Sequence, residues 1–245
     1  KRKLNAVHKE SNMASNISGK AYALTILSPI KNAYTSDEIA YADLIRDRLQ
    51  NWNFEANSPM AKVPNTYLCR FFVLDDVYTE SQPTGSGLDT VRDLSLFVTD
   101  SMRRAAVPKE DHLQSRYLVF SCNFHAGPKA DLDGYLRGMW NSIQDRIKEI
   151  WSYCYGFDKV HDADSFIAYM KKCQLTASLF FNGSNDEPLA EQLKALYLKQ
   201  EFAKFVVDNQ GLDAATLKIN FQAFMQRVAP TNLTAPTWAP GQYRL

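Results

Sequence analysis

Charge of one sign is what this chain lacks most plainly. Its 245 residues carry 28 Lys and Arg against 27 Asp and Glu, a formal net charge of +1. So even a balance supplies no long-range field to gather a polyanion or an acidic membrane surface. The expected partners therefore include no nucleic acid and no membrane. Long apolar runs are missing too: nothing approaches the roughly 18 residues a membrane-spanning helix needs. Cysteine is scarce, with only Cys69, Cys122, Cys154 and Cys173. None forms a CxxC pair and no histidine stands at metal-finger spacing, so neither a zinc module nor a disulfide framework is expected. Buried thiols in a reducing, cytoplasmic setting are the expectation. A secreted or periplasmic protein whose leader was removed stays open. The motifs GxGxxG, GxxxxGK[ST], HExxH and GxSxG are all absent, and no repeat of about 20 to 50 residues occurs.

What is present reads as an ordinary globular composition, 45% hydrophobic and 22% charged. Residues 1–19 are basic, then polar and rich in Ser and Asn, which predicts a disordered tail. Residues 20–229 hold the alternating patterns of one domain, and 230–245 form a Pro-containing irregular tail. Four short runs rich in aromatic and β-branched residues predict strands at 22–28, 68–78, 117–124 and 176–181. Helical spacing of apolar residues predicts helices at 36–52, 89–104, 132–155 and 164–172. Two more follow, one from about Pro188 to Asn209 and a last one that Asp213 caps. A strand at 94–98 is the alternative to the second helix. Asp131 and Asp133 read as N-terminal caps and Gly156 as a left-handed helix end. The order gives βαββαβ with extra C-terminal helices. The expected class is α+β: a ferredoxin-like core with an antiparallel four-stranded sheet. Phe71, Val73, Val119, Phe120, Trp140 and Ile147 are the expected shared core.

Polar residues inside apolar strands are the candidate chemistry. Arg70 stands in the middle of 68–74, where a buried guanidinium needs a partner. Asp75 and Asp76 are the structural candidates, and a ligand anion on the sheet is the functional one. Asn123 in the third strand adds hydrogen-bonding capacity, although its face relative to Arg70 is not fixed by sequence. His125 follows that strand, where an imidazole can act as a base or a ligand. The other histidines, His8, His112 and His161, sit in polar stretches and read as solvated. Tyr67, Tyr153 and Trp140 belong to an aromatic-rich middle that packs a core or lines a ligand pocket.

The segments Thr66-Tyr67-Leu68-Cys69-Arg70-Phe71-Phe72-Val73-Leu74-Asp75-Asp76, Leu118-Val119-Phe120-Ser121-Cys122-Asn123-Phe124 and Ile150-Trp151-Ser152-Tyr153-Cys154-Tyr155-Gly156-Phe157 resemble a little-characterised ferredoxin-like family. That family is distantly akin to dimeric α/β-barrel proteins, among them dye-decolourising haem peroxidases and cofactor-free monooxygenases. The resemblance spans roughly residues 20–209 and implies oxidoreductase chemistry, while a sheet with helices on one face and apolar residues on both sides of its strands leads us to expect a homo-oligomer, a dimer. The resemblance would give Arg70, Asn123 and His125 catalytic roles and Tyr67, Tyr153 and Trp140 ligand contacts. Haem enters only through this resemblance. Histidines often stand in the family where this chain has Tyr67 and Tyr153, so the simplest haem ligands are missing. The functional expectation is binding or oxidative transformation of a small, largely apolar molecule between sheet and helices. The alternative is a non-catalytic dimerising accessory module.

Overall fold

The computed structural model describes residues 15–77, 79–81, 109–229 and 238–240. The predicted helix at 89–104, the extreme N-terminus and most of the C-terminal tail lie outside the described residues. The chain is α+β, with an antiparallel sheet and five helices among the described residues.

Strand β1 (Ile17–Ser18) turns back onto β2 (Ala21–Pro29), so the last residues of the expected N-terminal tail are ordered. Their anchor is Asn16, whose buried amide donates to the Ala23 carbonyl at 2.8 Å. Helix α1 (Tyr41–Phe54) follows, then β3 (Thr66–Leu74). Short strands β4 (Thr79–Ser81) and β5 (Lys109–Asp111) pair with each other. After them come β6 (Tyr117–His125), helix α2 (Leu132–Trp151), helix α3 (Ala163–Cys173) and β7 (Gln174–Leu175). Helices α4 (Leu189–Asp208) and α5 (Ala214–Arg227) close the order. In the main sheet β1 and β7 pair with successive stretches of one edge of β2, β6 pairs with its other edge, and β3 pairs with β6.

Four boundaries differ from expectation, two of them simply shorter: the helix expected over 132–155 ends at Trp151 and the strand expected over 68–78 ends at Leu74. The predicted helix start at 36 moves to Tyr41, because Glu38 adopts a left-handed φ of 61° that no helical turn contains. The fourth strand is not 176–181 but the two residues of β7, and Leu179 and Phe181 stand 84% and 79% exposed. Ordered pairing stops at Leu175 because only Ile26 and Thr25 of β2 face it.

Alternation along the strands decides where the core lies. Tyr22, Leu24 and Ile26 of β2 and Leu118, Phe120, Cys122 and Phe124 of β6 point to one side, with Cys69, Phe71 and Val73 of β3 beside them. Helix α2 meets that side with Leu136, Met139, Trp140, Ile143, Ile147, Ile150 and Trp151, all buried at three- and four-residue spacing. Asp131 caps it by accepting from the Gly134 N–H at 2.8 Å. The absence of a Cβ at Gly134 lets the Asp131 carboxylate sit close over this first turn. Asp133 is not a cap; it pairs with Lys171 of α3 at 2.5 Å. Val119 is buried yet stands outside this core, because it neighbours Phe120 along the strand and must face the other way. The expected six-residue core therefore loses Val119 and keeps the rest.

Candidate functional site

The second face of the sheet carries most of the candidate residues. Pairing register sets them out in rows across β3, β6 and β2. Leu68, Asn123 and Ala23 form one row; Arg70, Ser121 and Thr25 the next; Phe72, Val119 and Leu27 the third. Arg70 and Asn123 thus share a face and are diagonal neighbours across the β3–β6 pair. The question left open by the sequence is answered by register alone.

Arg70 corrects the main premise drawn from the sequence. It lies on the exposed face of β3, the edge strand of the main sheet, and is itself exposed. Burial therefore imposes no partner on its guanidinium. No ion pair or hydrogen bond joins it to another described residue. The carboxylates expected beside it are committed elsewhere. Asp75 pairs with Arg46 at 2.5 Å and Arg116 at 3.2 Å. Asp76 bonds the His112 ring at 2.7 Å, which holds its carboxyl below the usual range. These two carboxylates and Arg116 line a cleft of about 540 Å³ with Tyr34 and Tyr41, a grouping the sequence reading missed. The adjacent acids after a strand were the available signal.

Tyr67 and His125 meet at one end of the same sheet. The register shift between Thr66 and Leu68 makes Tyr67 the extra residue of a bulge, which re-aims its side chain. Its hydroxyl donates to the Glu187 carbonyl at 2.7 Å and lies 3.2 Å from His125 Nδ1. Nδ1 is in turn 2.8 Å from the Asp186 carbonyl. A carbonyl only accepts, so the His125 Nδ1–H donates to the Asp186 carbonyl. Burial, then the charges of Asp186 and Glu187, push the Tyr67 hydroxyl up to about 12. Lys20 completes the cluster: its Nζ pairs with Glu187 at 2.7 Å and its backbone N–H donates to Asp186 at 2.6 Å. Gly19 allows this approach, with a φ of +62° and no Cβ to strike Asp186. The cluster fastens the loop before α4 to the sheet.

Trp140 and Tyr153 lie elsewhere. Trp140 is buried against Phe166, with Lys148 over its ring. Tyr153 packs on Tyr41 beneath Arg48. The layer between sheet and helices, where a ligand pocket was expected, is filled by rings. Phe71 stacks on Phe120 at 4.6 Å, Phe124 on Tyr135 at 3.7 Å, and Trp151 meets Phe120 edge-on at 5.9 Å. Trp151 also donates to the buried Ser28 hydroxyl at 3.0 Å. Six candidates therefore divide: Tyr67, Arg70, Asn123 and His125 border the second face, while Trp140 and Tyr153 belong to the helical side.

Tyr67 and Tyr153 are both engaged, Tyr67 by the Glu187 carbonyl and Tyr153 by Tyr41 and Arg48. Among the described residues no three His, Cys, Asp or Glu side chains stand together to hold a metal ion. All four cysteines are free. Burial pushes the Cys69 thiol up to about 11 and Cys122 higher still, which leaves both poor nucleophiles.

No family model, curated protein or solved structure matches this chain. The resemblance drawn from three strand and helix segments therefore adds no residue roles to those argued from geometry. No helix among the described residues is long and apolar enough to cross a membrane.

Proposed function

We propose that the chain binds a small, largely apolar molecule bearing an anionic group, and that the second face of the sheet receives it. One observation carries the reading. Arg70, free of any partner among the described residues, stands between exposed Leu68 and Phe72 on one strand, with Ser121 and Asn123 alongside. A guanidinium offers a carboxylate two parallel N–H bonds, and the flanking apolar groups offer contact to an apolar body. The filled aromatic layer under the sheet favours this face over the interior. The neighbour order β7-β2-β6-β3, with helices joining β2 to β3 and β6 to β7, supports a split βαβ reading in which this face is the customary open one.

Calorimetric titration with decanoate, and with decanol as its neutral counterpart, tests the proposal. Decanoate binding should weaken about tenfold or more in Arg70→Met, the scale of a lost charged hydrogen bond. Decanol binding and the melting temperature should barely change, because Arg70 is exposed. Equal decanoate binding by both proteins would remove Arg70 from the site.

The second reading is a non-catalytic interaction module. The apolar exposure of α4 and α5 favours it.

A further inference from the structure

Helices α4 and α5 pair as an antiparallel hairpin. Glu201 meets Arg227 at 3.1 Å, Phe205 meets Phe224 at 5.0 Å, and Asn220 donates to Asn209 at 2.6 Å, so the contacts run in opposite directions along the two helices. Their mutual seam accounts for few of their apolar residues. Along α4, Leu198, Phe202 and Val206 recur every four residues. Along α5, Leu217, Phe221 and Met225 do the same. Each of the six is 38–48% exposed.

Helical geometry puts these two rows on one side of the hairpin. Each lies clockwise of its own seam by less than half a turn, and antiparallel partners turn those flanks to a common face. The rings confirm the closeness of the rows to the seam: Phe202 lies 6.0 Å from Phe224, and Phe221 lies 5.8 Å from Phe205. Rows spaced by four are the ridges that interlock when helices pack.

We propose that this face docks a second copy of the chain, hairpin against hairpin, to form a four-helix bundle about a two-fold axis. Area is the first argument. With about 150–200 Å² for each fully exposed side chain, the six residues leave on the order of 450 Å² of apolar surface. Ordinary interfaces are only about 57% apolar. That surface therefore corresponds to roughly 800 Å² per partner, the size of a standard stable interface. Charge is the second argument. Residues 189–227 hold Lys194, Lys199, Lys204, Lys218 and Arg227 against Glu191, Glu201, Asp208 and Asp213. A nearly neutral surface suits an identical copy, whereas a strongly charged partner would find no complement here. A closed two-fold pairing also leaves no free copy of the patch to propagate. The inference stands apart from ligand binding at the sheet.

Sedimentation of the 245-residue chain at micromolar concentration tests it, together with Val206→Lys, Met225→Lys and, as a control on the opposite flank, Ile219→Lys. Ile219 is 65% exposed. The expected result is a dimer that becomes a monomer in both Val206→Lys and Met225→Lys, with unchanged circular dichroism, and stays a dimer in Ile219→Lys. A wild-type monomer overturns the proposal. Should that monomer lose thermal stability in Val206→Lys, the face is covered by another part of the same chain. Dissociation by Ile219→Lys alone, or growth beyond a dimer, overturns it as well, since a different surface would then be responsible.

Discussion

Arg70 shows how a single residue's burial reverses its meaning. In the sequence it is a cation inside an apolar run, and the run implies burial on both sides. In the sheet, Cys69, Phe71 and Val73 take the core and Leu68, Arg70 and Phe72 take the surface. Alternation of apolar and polar residues would have signalled this; Leu68 and Phe72 on the outer face, set against Cys69, Phe71 and Val73 on the inner one, concealed it. Trp140 was legible for the opposite reason, because its helix repeats apolar residues at strict spacing. Trp140→Ala should cost about 3–5 kcal/mol, read from denaturant midpoints, since the indole is buried against Phe166 and cannot be replaced by collapse of a surface loop. Tyr67→Phe has a different signature. It deletes the donor to Glu187 at the loop before α4, so amide hydrogen exchange should accelerate around 182–192. Global stability should fall by only about 1 kcal/mol. Unchanged exchange in that loop would show that Lys20 and His125 suffice to hold it.

Among elements, the helices were read best. Asp162 and Ser165 form a reciprocal capping box on α3, and Asp213 accepts from both Ala215 and Thr216 at the start of α5. Caps of this kind are local in sequence, which is why α3 and α5 begin where expected. β7 was misplaced because pairing partners, not local composition, decide where a strand ends. Thr176 to Phe181 has strand-forming residues, but the stretch through 182 meets the β1 region only through the side chains of Asn16 and Ser18 and makes no ladder pairing among the described residues. The caps also set an acid dependence. Hydrogen bonds from Thr216, first its side chain and then its backbone, lower the Asp213 carboxyl below its ordinary value. The folded pKa is thus below the unfolded one. The cap's contribution is present above the ordinary carboxylate pKa and is lost as pH falls through the folded value. In Asp213→Asn the cap is kept without the titration. Its melting temperature should therefore decline less steeply than wild type below about pH 4. Parallel curves would assign the acid sensitivity to other carboxylates.

At the scale of the molecule, two bodies of unlike construction share one chain. The sheet with α1, α2 and α3 encloses a contiguous aromatic core, whereas α4 and α5 together bury little beyond Glu201, Phe224 and the adjoining Val228. The overall α+β class was legible because strand and helix periods differ. The site was not, since it depends on which face of each strand meets the helices, and register carries that information across residues far apart in sequence. One consequence follows from the division of β3 and β6 into two faces. A shift of one position would bring the Phe120 and Phe124 rings out and Ser121 and Asn123 in, so the inner face alone locks the pairing. The outer face is released from that duty. Its residues are free to drift between generations, and a lineage could rewrite what the surface recognises while the scaffold beneath is inherited intact.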